Sequence, residues 1–394
     1  MARLSITGES SKIMLEDFIV GLFVLATYIF ENNQFSVLFS IIQAIFFIYF
    51  TGILVINKRI PACFIVFWAC LVSFIAIILL FFNNNTSVVT STLIVIKNCI
   101  KALFVTLYLY RRKCANILIF FIAASGILCG VEILNSFLNN SMQYTQLQYA
   151  YNSRIGAEIA GGNVNIVALN MCFAFSALLY LAKIQKNILI KRLIYLGALF
   201  VVVTSIFTGT RKILFFYVSA LIISSNETEL KYKILTLLGL LGVYFALINI
   251  EPLYFFIGHK IDFFSGNNAF NMYYASDDTR LDLALGALNL FFEHPLGIGF
   301  GNVGNYLGVY AHNNYVEVLA SLGIIGFLIF YAIYFYGLYN SIKYRYNQLC
   351  RYCFYTLVGL MVIEMGQVTC LYPIVYIFFP IFIIAFSKKR LNNA

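Results

Sequence analysis

Three histidines, His259, His294 and His312, and three arginines, Arg154, Arg211 and Arg280, stand out in an otherwise apolar chain. A neutral imidazole can accept a hydroxyl proton near pH 7, and a guanidinium can grip a phosphate through two parallel hydrogen bonds. Those residue types together suit proton abstraction beside an anionic group. His312 begins the run His312-Asn313-Asn314-Tyr315-Val316-Glu317, which adds a carboxylate five residues on. Five helical residues bring Glu317 about 140° around from His312, so the two are expected on different faces and not as a direct pair. His312 reads either as a general base or as an interfacial histidine without a chemical role.

Arg211 lies in Thr208-Gly209-Thr210-Arg211-Lys212, a break between two short apolar runs. A lone arginine there snorkels to lipid phosphates. Three arginines on one side of a membrane with few acidic partners instead suit a diphosphate, and Arg154 has the same two readings. Around Arg280, the spacing of Leu281, Leu285, Leu288 and Phe292 predicts an amphipathic helix over 278–293, with Ser276, Asp277 and Asp278 as N-caps. Arg280 then falls in the first turn, where the helix dipole disfavours a cation. It either pairs with Asp277, Asp278 or Asp282, or joins helix N–H groups in holding an anion. Gly299-x-Gly301-x-x-Gly304 formally matches a dinucleotide fingerprint, but it precedes an apolar span and lacks the strand that the motif requires. Its glycines are expected to let backbone turn tightly and approach neighbours.

The surrounding elements are set by composition. Of 394 residues, 62% are hydrophobic and 11% charged, and mean hydropathy is +0.88. A soluble domain is about half apolar and about one-quarter charged, so an aqueous globular fold is excluded. Continuous apolar runs such as 64–82 lack the alternation of barrel strands. The expected fold is all-α, a single integral membrane domain over 1–394 with about twelve transmembrane helices near 16–30, 35–56, 62–82, 88–110, 115–137, 159–182, 193–207, 213–225, 234–250, 312–340, 352–371 and 374–387. Two outer loops follow, at 138–158 and 251–311, the larger containing short amphipathic helices. All three histidines fall in or at the end of that larger loop.

The formal charge of +10 is distributed by topology and does not mark a nucleic-acid binder. Nineteen of the 26 Lys and Arg residues fall in segments that become cytoplasmic if the N-terminus is inside, and five fall outside. This places both termini in the cytoplasm. No short apolar run ending in small residues is present in 1–17, so no cleavable signal is expected. The nine cysteines imply no disulfide framework, and Cys350-x-x-Cys353 has no second pair or nearby histidine to make a metal site. Intramembrane charges are few: Lys97, Lys101, Glu132, Glu317 and Glu364. Lys97 and Lys101, one turn apart, are expected to meet Glu132 or Glu364.

With these residues in view, the chain resembles the O-antigen polymerase and ligase family of bacterial envelope glycosyltransferases. Thr-Gly-Thr-Arg211, Asp-Thr-Arg280, His294-Pro-Leu-Gly-Ile-Gly-Phe-Gly-Asn302 and Ala311-His312-Asn313-Asn314-Tyr315-Val-Glu317 followed by Gly323 and Gly326 carry the resemblance. It implies a metal-independent enzyme of the C-type superfamily in the bacterial inner membrane, without a cofactor, whose active site faces the periplasm. The donor it implies is an undecaprenyl-diphosphate-linked oligosaccharide, with a chain-length regulator as a further partner. Arg211 and Arg280 would bind the diphosphate, and His312 would deprotonate or orient the acceptor hydroxyl, with Glu317 the next candidate for the base. Arg154 departs from the family's arginine-to-glycine spacing, because Gly161 and Gly162 follow too soon. The glycine-rich block resembles polymerases more than ligases, which deliver the glycan to lipid A-core. A non-enzymatic flippase for lipid-linked sugars is the rival reading.

Overall fold

The computed structural model describes residues 15–29, 36–56, 72, 75, 86–112, 115–139, 164–208, 210, 212–224, 230–250, 254 and 271–385. Among them the regular structure is all helix: α1 Leu15–Ile29, α2 Ser36–Ile56, α3 Thr86–Arg112, α4 Asn116–Asn139, α5 Val164–Ile184, α6 Ile188–Ile206, α7 Lys212–Ser224, α8 Leu230–Asn249, α9 Asn271–Glu293, α10 Val303–Leu307, α11 Asn314–Lys343, α12 Gln348–Glu364 and α13 Pro373–Ala385. In hydrocarbon every backbone N–H and C=O must be bonded within its own segment, which favours helices for these apolar runs. Five of them, α3, α4, α5, α6 and α11, are long and apolar enough to cross a membrane. A helix stands at every expected span except 62–82, most of which lies outside the described residues.

Two boundaries differ from expectation. The run 352–371 ends as helix at Glu364, because residues 365–372 fold into turns. The helix expected over 278–293 starts at Asn271, seven residues earlier, and is not short. The helix therefore does not begin at Ser276, Asp277 or Asp278, and Arg280 is the tenth residue of α9, beyond reach of the N-terminal dipole. The predicted stripe also faces outward: Leu281 is 62% and Phe292 69% exposed, whereas Ala287 and Leu290 are buried.

The core centres on α5, which packs against α4, α6, α7 and α12. A Cβ on Gly126 would stand 2.1 Å from that of Ala174, so α4 and α5 approach through small residues, as membrane helices do. By contrast, α6 shows Leu189, Leu193, Leu196 and Leu199 outward, an apolar face suited to lipid. The start of α1 is tied to the end of α3. Arg111 pairs with Glu16 at 2.7 Å, and Arg112 grips Asp17 with two hydrogen bonds of 2.7 and 2.8 Å. Tyr108 donates a third to Asp17.

The expected pairing of Lys97 and Lys101 with Glu132 or Glu364 is corrected. Both ammonium groups stand about 6 Å from the Phe39 ring centroid, and Glu364 accepts hydrogen bonds from the Tyr334, Tyr331 and Thr369 hydroxyls instead. Hydroxyl donors satisfy a buried carboxylate without burying a second charge.

Candidate functional site

At Gly323 the helix α11 breaks, with φ 66° and ψ −175°. Such a break strips partners from nearby backbone groups, an expensive loss away from water. The glycine-rich segment 295–299 supplies them: Ile298 N–H donates to Ala320 O at 3.0 Å, Gly299 N–H to Ser321 O at 2.8 Å, and Ile324 N–H to Pro295 O at 3.1 Å. Thus the glycine block is a wedge built into a broken helix, in keeping with the expectation of close backbone approach. Ser87 Oγ donates to Gly301 O and docks the same block on α3.

The wedge leads through α10 to Ala311, His312 and Asn313, which precede α11. His312 has φ 56° and is the only non-glycine residue with positive φ among those described. A left-handed backbone costs such a residue about 1–2 kcal/mol. Its neighbours hold it there. Ala311 N–H donates to Glu317 Oε2 at 2.8 Å, and Asn313 Nδ2 donates to Met365 O at 3.2 Å while its Oδ1 caps α11 by accepting from Tyr315 N–H. Glu317 is buried, so its carboxylate meets the His312 turn through the Ala311 backbone, and the two side chains do not form a direct pair, as their spacing indicates.

The His312 ring is half-buried, 4.2 Å from the Tyr310 ring centroid. Burial draws its pKa below the ordinary 6.5, and the Arg280 guanidinium and Lys212 ammonium, near enough to repel an added proton, draw it further down. Three elements therefore converge: α9 brings Arg280, the first residue of α7 is Lys212, and the turn before α11 carries the imidazole. A fourth closes the group, since a Cβ on Gly366, just past α12, would stand 3.0 Å from the Lys212 side chain.

Of the other expected site residues, Arg211 and Arg154 lie outside the described residues, as does His259. His294 is exposed at the end of α9, its ring 6.4 Å from that of Tyr306. Lys212 and Asn313 were not singled out by sequence. The first was visible only as the neighbour of Arg211, and the second as an asparagine before an apolar run, the pattern of an N-cap.

A network of hydroxyl and amide groups lies behind the turn. Asn314 Oδ1 accepts from Thr369 N–H and Cys370 N–H, its Nδ2 donates to Tyr331, and Tyr334 donates to Glu364 at 2.6 Å. It ties α11 to the turn after α12. Among the described residues no three His, Cys, Asp or Glu side chains gather as metal ligands. The arrangement combines one imidazole held neutral with two cations, which suits removing a proton beside an anionic leaving group. No protein-family model matches the chain, and no curated protein sequence matches it.

Proposed function

We propose that the chain is a glycosyltransferase of the O-antigen polymerase type, moving a growing glycan from undecaprenyl diphosphate to a lipid-linked repeat unit at the periplasmic face of the bacterial inner membrane. In this reading the bundle has about twelve spans with both termini in the cytoplasm. The observation that carries it is His312, strained, pinned on both sides and faced by Arg280 and Lys212.

The chemistry follows from those groups. A nitrogen of His312 takes the proton of the acceptor hydroxyl while its oxygen bonds to the anomeric carbon. The bond from that carbon to the diphosphate breaks, and Arg280, Arg211 and Lys212 stabilise the charge left on the departing group. In an empty site burial, and then repulsion from the two cations, favour the neutral imidazole. A bound diphosphate offsets the two cations, so the base gains proton affinity when the donor is in place. Leu281, Leu285 and Phe292, exposed beside Arg280 on α9, favour a donor presented at the lipid surface. Glu317 acts here as a positioning residue for the turn.

Purified protein incubated with a lipid-linked repeat unit, with and without lipid A-core, tests this on a gel. A ladder without lipid A-core is expected. A single transfer to lipid A-core would make it a ligase, and transport into liposomes without sugar transfer would make it a flippase.

A further inference from the structure

The opposite end of α11 from His312 holds a second polar site. After the break at Gly323 this helix runs about 20 residues to Lys343, so its C-terminus lies ~30 Å along the axis from the break. Past its C-terminus the turn 344–347 leads into α12, and between this turn, α7 and α12 lies a cavity of about 460 Å³. Arg345, Arg351, Ser341 and Tyr346 line it, with Ile223 and Phe354 among its apolar walls, and no carboxylate is present in the lining among the described residues.

The charges gather here by construction. Arg351 is buried, in the first turn of α12 where the helix dipole opposes a cation, and its Nη2 donates to Ser224 O at 3.2 Å. Lys183 Nζ donates to the same carbonyl, adding a third cation at this end of the bundle. Arg345 carries its guanidinium over the Tyr346 ring, 5.2 Å from the centroid. Ser341 is 1% exposed, and among the described residues its hydroxyl has no hydrogen-bond partner. A buried hydroxyl without a partner loses its hydration and gains nothing in return, so a ligand acceptor on the cavity side resolves it.

We propose that this cavity binds a phosphate-ester anion, with its phosphate between Arg345, Arg351 and the Ser341 hydroxyl and its apolar part against Ile223 and Phe354. Planar guanidinium groups match phosphate oxygens through paired hydrogen bonds. A volume of about 460 Å³ accommodates a phosphodiester with the groups on either side of it. By the charge bias of the chain this end is cytoplasmic, where an anionic phospholipid headgroup and a free cytosolic phosphate ester share the chemistry. The site is separate from the His312 turn and does not depend on the glycosyltransferase reading.

The test uses the full chain, delipidated in neutral detergent, as wild type, Arg345→Gln and Ser341→Ala. In one arm, retention of phosphatidylglycerol against phosphatidylcholine is counted by native mass spectrometry. In the other, the melting temperature is followed with inorganic phosphate against chloride at matched ionic strength. Arg345→Gln is expected to weaken the bound species by about tenfold or more, and Ser341→Ala by a smaller factor in the same arm. Selective phosphatidylglycerol retention that inorganic phosphate does not displace identifies a lipid headgroup. Stabilisation by phosphate that also displaces the lipid identifies a free anion. Binding unchanged in both folded variants, or no selective binding by the wild type in either arm, overturns the proposal.

Discussion

Gly297 and Gly323 occupy each other's side-chain space. A Cβ on Gly297 would stand 2.6 Å from the carbonyl carbon of Leu322, and one on Gly323 would stand 2.4 Å from that of Leu296. Both glycines have positive φ, of 95° and 66°. The wedge and the helix break are therefore one structure that neither half can form alone.

Alanine at either position is expected to reduce thermal stability by well over 1 kcal/mol, because it adds backbone strain to a contact with backbone that cannot yield. Gly308→Ala is the control. Its φ of 80° carries the same backbone penalty, but nothing lies within 4 Å of the added Cβ, so its loss should be about 1 kcal/mol. Melting curves of the three variants in one detergent check this, and equal losses would show that the close approach does not matter.

His312→Ala should lower glycan transfer by about 10²–10⁴-fold while donor binding survives, the range of a positioned base. His294→Ala should be milder. Because burial and two cations hold the His312 pKa down in the donor-free enzyme, the acid limb of the kcat/KM profile should lie below 6.5. Lys212→Gln removes one repelling charge, favours the protonated imidazole, and should move that limb upward. A limb that stays put in Lys212→Gln and persists in His312→Ala would belong to another group.

Glu317→Gln retains an oxygen that can accept the Ala311 N–H, so transfer should remain within about threefold of wild type. Glu317→Ala leaves that buried N–H unsatisfied, at roughly 1–3 kcal/mol, and should lower activity about tenfold or more as the turn loosens. Were Glu317 the base itself, the glutamine variant would be as inactive as the alanine variant. Initial rates for both separate positioning from proton transfer.

Arg280→Lys and Arg211→Lys keep the charge but lose the two-pronged grip on phosphate. Each is expected to weaken transfer by about tenfold or more at normal expression, through donor affinity and stabilisation of the leaving group together. Wild-type rates in both would remove the diphosphate assignment.

The helices were legible because apolar runs broken by basic residues are a local signal. The start of α9 was not: Ser276-Asp277-Asp278 mimics a cap, although the helix already runs from Asn271. The break at Gly323 was hidden for a different reason. Gly323, one of two glycines in the apolar stretch from Val318 to Phe330, carries no mark of its partner 26 residues earlier. His312 could be found as a polar residue ahead of an apolar span, yet the strain in its backbone and its exposure to Lys212 arise only from packing. Lys97 and Lys101 misled because opposite charges in one membrane suggest pairs, and hydroxyl groups had already satisfied Glu364.

The tether from Asn313 to the Met365 carbonyl, with Lys212 beside Gly366, also sets an order of assembly. Lys212, Arg280 and His312 are all synthesised before the turn that closes around them. A nascent chain halted near residue 345 would hold its imidazole and both cations in the bilayer, but without the segment that fixes them in place. Activity should therefore appear late in biogenesis, as a step when α12 docks and not gradually as helices accumulate. C-terminal truncations that still insert are expected to be silent, and supplying the missing hairpin as a separate peptide offers a route to restoring function in trans.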